Sequence, residues 1–301
     1  MGQQDLTEKN LESYPDVFAD VINVLLYHGE QVVEAAALQS APTETLYPRK
    51  NGRLHNQFHD VSKYVMNNGN IEMQYTLENE TKAKRKTVLR KAGYEGAVYR
   101  EQYDEAQCFP VISCVLHWGK GRWRQPRSLC QLWKGRNIPE AAKEYIDDIK
   151  LYVFDMRYLS KDVRTLFRSD MRIIVDYLAD GENYIPTNQK IVHLEAVLLM
   201  LRALTGDARY EEIMPDMKDL EKEEGGITMC ELLDKYEKRG IAKGISQGIS
   251  QGISQGIARG IMQGKAESLR NLMESMKWTA EQAMAALKIP DSERAEYLAR
   301  L

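Results

Sequence analysis

The sequence predicts an α/β sandwich of modest size in its first half, followed by an all-helical region. Three observations carry this reading. Residues 71–78, IEMQYTLE, alternate strictly, with Ile71, Met73, Tyr75 and Leu77 on one side and Glu72, Gln74, Thr76 and Glu78 on the other. A period of two is the mark of a half-buried strand. Residues 110–118, PVISCVLHW, form a β-branched, apolar run of the kind found in strands buried on both faces. Residues 16–27 place Val17, Val21, Val24 and Leu25 at helical spacing and run into Gly29, a stop signal.

The intervening elements follow in order. QFHDVSKYV (57–65) reads as a strand, and Asn67-Asn68-Gly69-Asn70 as the turn joining it to 71–78. Residues 84–103 read as a helix around Val88, Leu89, Ala92 and Val98, weakened by Gly93 and Gly96. A last strand is expected near Leu151–Phe154, after which the pattern is helical. Helix, strand, hairpin strand, helix, strand is an order that suits an α/β layered domain. The boundaries drawn from this are 1–155 for that domain, 156–239 for a helical extension, 240–264 for a repeat and 265–301 for a small helical unit.

The repeat is the most regular feature of the chain. Gly240, Gly244, Gly248, Gly252, Gly256, Gly260 and Gly264 recur every four residues, each of the first six followed by an isoleucine, from Ile241 to Ile261. Seven glycines cost a lone helix about 1 kcal/mol each relative to alanine. The segment is therefore expected either as a helix docked on another chain or body, or as a flexible spacer. Beyond it, Trp278-Thr279 and Pro290 divide 265–301 into two or three short helices.

Composition narrows the functional classes. The 301 residues have a net charge of −3, but that sum conceals a division. Lys82, Lys84, Arg85, Lys86, Arg90 and Lys91 form one basic stretch, and Lys120, Arg122, Arg124, Arg127, Lys134 and Arg136 a second. The segment Asp207 to Glu237 is acidic. A basic first half points to an anionic partner there. No run of 18 apolar residues is present, so no membrane span is expected, and the polar opening MGQQDLTEKNLESYPD does not read as a signal peptide. Cys108, Cys114, Cys130 and Cys230 lack zinc-like spacing and are expected as buried free thiols in a reducing, cytoplasmic setting. Nucleophile-elbow, P-loop and HExxH patterns are absent.

The chemistry that remains is carried by acids. Asp60, Glu78 and Glu80 fall on or beside adjacent strand ends of the hairpin. Hard divalent cations take oxygen ligands, and such ions neutralise charge developing on a phosphodiester. Register decides whether the acids meet. A plain two-residue turn at Asn68-Gly69 sets Asp60 opposite Leu77, whereas a three-residue loop or a bulge sets it opposite Glu78 on one face.

The combination HDVSKYV, IEMQYTLENET, LRKAGYEGAVYREQ, FPVISCVLHWG and RWRQPRSL resembles the Rpn family of recombination-promoting nucleases and putative transposases, a branch of the PD-(D/E)XK nuclease superfamily. The resemblance covers about residues 10–240, and GIxxGIxxG repeats are common in such proteins. It implies a restriction-endonuclease-like mixed sheet flanked by helices, and Mg²⁺- or Mn²⁺-dependent hydrolysis of DNA. Asp60 matches the metal-binding Asp, preceded here by His59 rather than Pro, and Glu78 matches the second acid. Glu80 stands where the superfamily has Lys and this branch often has Gln, which leaves Lys82, next on the same face, as the substitute cation. The first-helix acid falls on Asp16 or Asp20, with Asp20 preferred as a further metal ligand. Lys84, Arg85, Lys86, Arg90, Arg100, Arg122 and Arg124 are then the expected DNA contacts. The departure at Glu80 keeps a second function in view, a degenerate nuclease fold that binds DNA or assembles without cutting. The helical tail is expected to make the chain a homo-oligomer.

Overall fold

A computed structural model describes residues 11–48, 54–58, 60–212, 214–215, 227–299 and 301. The chain divides into two compact units, Met1–Leu232 and Leu233–Leu301. In the first, helix α1 (Pro15–Tyr27) leads into β1 (Leu38–Ser40), a separate ribbon of β2 (Glu44–Pro48) and β3 (Leu54–Phe58), and then β4 (Val61–Asn67) and β5 (Asn70–Glu80). Helix α2 (Thr87–Glu101) connects to β6 (Val111–His117), and a loop with the short α3 (Leu129–Leu132) connects to β7 (Tyr152–Asp155). Helices α4 (Lys161–Arg164) and α5 (Met171–Asp180), strand β8 (Lys190–Ile191), helices α6 (Leu194–Thr205) and α7 (Arg209–Glu212) and strand β9 (Ile227–Thr228) follow.

Among the described residues, five strands form a mixed sheet in the order β1-β4-β5-β6-β7. β4 runs antiparallel to β1 and β5, while β5, β6 and β7 are parallel. Antiparallel neighbours joined by a tight turn, and parallel neighbours joined by a helix, are what connection length allows. The predicted strand 57–65 is in fact two elements: β3 ends at Phe58, β4 begins at Val61, and Asp60 sits in the bend between them. His59 lies outside the described residues, as do 213 and 216–226 of the acidic segment.

The β4–β5 turn is the two-residue form. Asn68 (φ 49°) and Gly69 (φ 83°) both take positive φ, the requirement of the turn type that matches strand twist. Such a turn on its own would send Asp60 to the wrong face. A bulge between Val65 and Met66 shifts the register, so that Val61 pairs with Leu77 and Asp60 is carried opposite Glu78.

Both faces of the sheet are covered. Tyr27 on α1 shares a 2.5 Å hydroxyl contact with Tyr75, and the Lys63 ammonium lies 5.7 Å from the Phe18 ring centre, so α1 covers the face of Tyr75 and Leu77. On the opposite face, Val88 of α2 packs with Val115, Trp123, Leu129, Leu151 and Val153. The half-buried expectation for β5 therefore fails from Gln74 onward, where every residue but Asn79 is buried through Glu80. On its polar side the Gln74 amide donates to Ser62 Oγ at 2.8 Å, while the buried Thr76 hydroxyl meets no hydrogen-bond partner among the described residues. The cysteines are free, but Cys114 is buried while Cys108 and Cys130 are exposed.

Buried polar groups tie the helices to this core. Asn23 on α1 donates to the Val33 carbonyl at 2.8 Å and accepts from the Val32 and Val33 amides, fixing the chain that leads to β1. Asp20, the preferred first-helix metal ligand, has a different role. Its Oδ2 accepts the backbone N–H groups of Arg168 and Ser169 at 2.9 and 2.8 Å, just ahead of α5. Asp170 does the same for Val192 and His193 at the start of α6.

In the second unit the tetrad repeat is helical throughout, as part of α8 (Met229–Met276), a single helix of 48 residues. Ile241, Ile245, Ile249, Ile253, Ile257 and Ile261 are each 55–58% exposed. Beyond the repeat, α9 (Ala280–Ala286) and α10 (Asp291–Leu298) fold back on the end of α8. Ala266, Leu269, Ala283, Met284, Ile289 and Tyr297 form their core, and Thr279 closes a capping box with Gln282.

Asp20→Ala is expected to lower stability by about 1 to 3 kcal/mol, because two part-buried backbone donors lose their charged acceptor. In urea the unfolding midpoint should fall with an unchanged slope, and a midpoint equal to wild type would refute this anchoring role.

Candidate active site

The C-terminal ends of the parallel strands carry the site. β5 continues straight to Glu80, so Glu78 and Glu80, two residues apart, project to the same face. Asp60 joins them by way of the bulge. A cavity of about 280 Å³ is lined by Asp60, Glu78, Asn79, Glu80, Thr81, Lys82, Lys84, Arg90 and Tyr94. The four residues expected to be catalytic, Asp60, Glu78, Glu80 and Lys82, thus share one wall. Asp20 is not among them; it lies with Asp16, Arg168 and Ser169 in a separate hollow.

Asn79, whose role the sequence did not reveal, organises the wall. Its backbone N–H donates to Asp60 Oδ2 at 2.6 Å, its amide donates to Glu12 at 2.8 Å, and its carbonyl oxygen accepts from the Trp118 indole at 2.7 Å. Next door, the register sets Glu80 beside His117. His117 Nδ1 lies 2.8 Å from Asp155 Oδ1, which also accepts the Trp123 N–H at 2.8 Å. A Cβ on Gly119 would sit 2.5 Å from His117 Nε2 and 2.7 Å from the Thr81 carbonyl, so the backbone passes here only as glycine. The His117–Asp155 pair ties together the C-terminal ends of β6 and β7.

The central feature is Arg90. Only six residues separate β5 from α2, which brings the first turns of the helix over the strand end. From there the Arg90 Nη2 donates to Glu78 Oε2 at 2.9 Å and also to Glu80 Oε1. Lys84 lies 3.9 Å from Glu80 Oε2. The guanidinium also lies 5.9 Å from the Tyr94 ring centre. The sequence marked Arg90 as a phosphate contact, but at rest it is the counter-ion of two buried carboxylates. Within α2 it is the basic residue nearest in sequence to the acids.

Electrostatics follow from this burial. Loss of hydration drives the Glu78 carboxyl up to about 7, against the pull of Arg90 and with a further push from Asp60 and Glu80. Burial works against the Arg90 charge as well, but Glu78 and Glu80 outweigh it and hold the guanidinium ionised. Burial and Glu78 push the Tyr94 hydroxyl up to about 12.

The oxygen donors are of the right kind for a hard cation, yet the arrangement does not fit one as it stands. Among the described residues no group of three or more His, Cys, Asp or Glu side chains is disposed to hold a metal. Arg90 takes the position between two of the acids.

The remaining basic residues surround the cavity unevenly. Lys84, Arg85 and Lys86 are exposed ahead of α2, with Arg85 donating to the Leu132 carbonyl at 2.9 Å. Arg100 is exposed ten residues beyond Arg90, about 15 Å farther along the helix. Arg122 and Arg124 are exposed in the β6–β7 loop, and Arg122 lies 4.8 Å from the Tyr158 ring centre. The tryptophans that accompany these arginines serve packing: Trp118 and Trp123 are buried. Among the described residues no helix is long and apolar enough to cross a membrane. Comparison with protein-family profiles, with curated proteins and with solved structures gives no match for this chain.

The raised Glu78 carboxyl makes a stability prediction with a definite sign. A carboxyl that binds its proton more tightly folded than unfolded favours folding while protonated, so its contribution is complete below the unfolded value near 4.3. That contribution is lost as pH rises through about 7. The melting temperature should therefore decline between pH 5 and 8. Glu78→Gln should remove much of this decline, and an identical pH profile in the variant would count against it.

Proposed function

We propose that the chain is a nuclease that hydrolyses DNA phosphodiester bonds at the cavity of Asp60, Glu78 and Glu80. One observation carries the reading: three carboxylates and three cations, Lys82, Lys84 and Arg90, line a single cavity at the ends of parallel strands. Ligand sites of open α/β sheets form in that place. Lys84, Arg85 and Lys86 at its margin meet the phosphate backbone and set the strand's position. Glu78, with its carboxyl near neutrality, is poised to hold the proton that an attacking water gives up. Asp60, anchored by the Asn79 amide, orients that water, and Arg90 and Lys84 face the charge that grows on the phosphoryl oxygens. The sequence resemblance extends this to a role in recombination or DNA mobility.

A second reading, DNA binding without cleavage, draws on the Arg90 bridge and on Glu80 in the position where the resembled superfamily has Lys. Nicking of supercoiled plasmid with Mg²⁺ or Mn²⁺ separates the two. Asp60→Ala and Glu78→Ala should each abolish nicking while DNA still shifts in a gel; wild-type protein that shifts DNA but never nicks it would favour the second reading. Binding should also fall steeply with salt. Neutralising Lys84, Arg85 and Lys86 together should flatten the slope of log affinity against log salt by about 3, since each phosphate contact contributes about 0.9. An unchanged slope would place the DNA surface elsewhere.

The tail supports a further part of the reading, self-association with a second copy through α8. Its glycines and its exposed isoleucines make a lone helix costly, and close backbone approach is what glycine permits. Sedimentation of the chain cut after Gly240 should give a lower mass than full length. Equal masses would make the repeat a spacer.

A further inference from the structure

A second cavity, of about 510 Å³, opens at the end of the sheet away from the acids. Volumes of about 300 to 1,000 Å³ are usual for small-molecule sites. β5 runs from one cavity to the other: Asn70 lines this one and Glu80 the first, about 30 Å along the strand. The Tyr64 and Phe109 rings form its aromatic wall, 5.5 Å apart and inclined at 75°. Val98 of α2 adds a buried apolar surface. Among the described residues, the charged groups that line the cavity are both acids, Glu101 at the end of α2 and Glu105 in the turn after it. The Glu105 N–H donates to the Gln102 carbonyl at 3.1 Å, which holds that turn against the helix end. The C-terminal end of a helix adds partial negative charge. The Glu101 side chain opens to solvent, yet partial burial raises its carboxyl, and burial together with the Glu101 charge raises the Tyr64 hydroxyl. The acid and the aromatic wall therefore share one space.

A donor without an acceptor completes the site. Gln102 lines the cavity although it is only 4% exposed. Its Oε1 accepts the Phe109 N–H at 2.9 Å, which decides the orientation of the carboxamide and leaves Nε2 as the remaining donor. That Nε2 is buried and meets no acceptor among the described residues. Buried amide donors are nearly always paired, so the position calls for an oxygen that the described chain does not supply. We propose that this cavity binds a small organic ammonium compound carrying a carbonyl oxygen. The cation lies beside Glu101 and Glu105, the apolar stem packs on Tyr64, Val98 and Phe109, and the carbonyl accepts from Gln102 Nε2. Aromatic faces favour a cation as well. The two acids repel phosphate, so the cavity is no extension of the proposed DNA surface, and the site stands independently of the nuclease reading.

Ligand-observed NMR on the full chain tests the assignment with matched probes. δ-Aminovaleramide carries both the ammonium and the carbonyl; hexanamide has a methyl group in place of the ammonium, and hexylamine lacks the carbonyl. δ-Aminovaleramide should bind at least about fivefold more tightly than hexanamide, because two carboxylates face its charge. It should bind at least about tenfold more tightly than hexylamine, which leaves the buried donor unmet. Equal affinity for either control, or no detectable binding of δ-aminovaleramide at millimolar concentration, would overturn the assignment. Glu101→Gln combined with Glu105→Gln changes only exposed side chains and should bring δ-aminovaleramide down to the affinity of hexanamide. An affinity unmoved in that variant would place the ligand elsewhere and overturn the site. Gln102→Met should abolish the preference for δ-aminovaleramide over hexylamine, and a preference that persists would overturn the role of Nε2. Gln102 is buried, so that variant can fail to fold; the wild-type probe series and the exposed glutamate pair decide without it.

Discussion

The pairing of β4 with β5 governs everything built above it. In an antiparallel pair a slip of one residue exchanges the two faces, so the turn and the strand must agree on register. Here Asn68-Gly69 gives the tight turn that the strand twist favours, and the bulge at Val65/Met66 restores the parity that this turn would otherwise deny to Asp60. Without the bulge, Asp60 would approach the α1 side of the sheet, away from Glu78. Two further, parallel registers set Glu80 beside His117 and His117 beside Asp155. The bulge therefore brings Asp60 to a cavity otherwise lined by β5, the connection after it and α2.

The cavity that results carries its own charge compensation. Two carboxylates almost fully buried at hydrogen-bond distance from one guanidinium are tolerable only as a set, because each ion taken from water singly is costly. The raised Glu78 carboxyl records the incomplete balance, with burial outweighing the cation that faces it. Asn79 contributes by a different route: its backbone and side-chain groups spread across Asp60, Glu12 and Trp118, linking the site to residues before α1 and after β6.

Much of the fold was legible because periodicity reflects burial. The α1 stripe, the β6 run and the α2 helix each emerged within a few residues of their predicted limits. What periodicity cannot see is burial of a polar face. Glu72, Gln74, Thr76 and Glu78 read as a solvent side, yet from Gln74 onward α2 and the 118–151 loop cover it. The same limit explains Asp20. On a helix stripe it is an acid of undefined purpose, and its partners, the amides of Arg168 and Ser169, lie almost 150 residues away. Glu78 and Glu80 could be grouped from the sequence because their spacing on one strand is local, and Asp60 because it lies just across the hairpin. Arg90's grip on them could not be read this way, since it depends on how closely a six-residue connection folds α2 back. Cys108 and Cys130 were expected inside because thiols usually are, but Cys108 falls in the loop before β6 and Cys130 on the open side of a one-turn helix, and both are exposed.

The tetrad repeat has a consequence of another kind. Four residues of α-helix advance about 6 Å and turn about 400°, leaving a residual rotation of about 40°. Because the units of α8 are near copies, gain or loss of one changes neither the exposed chemistry of the helix nor its continuity. It changes only length and phase together, in fixed proportion. Nine such steps would bring the isoleucine row back to its starting azimuth after about 54 Å. The helix is thus a vernier: its length and phase are adjustable in discrete, coupled increments without altering a single residue of the first unit.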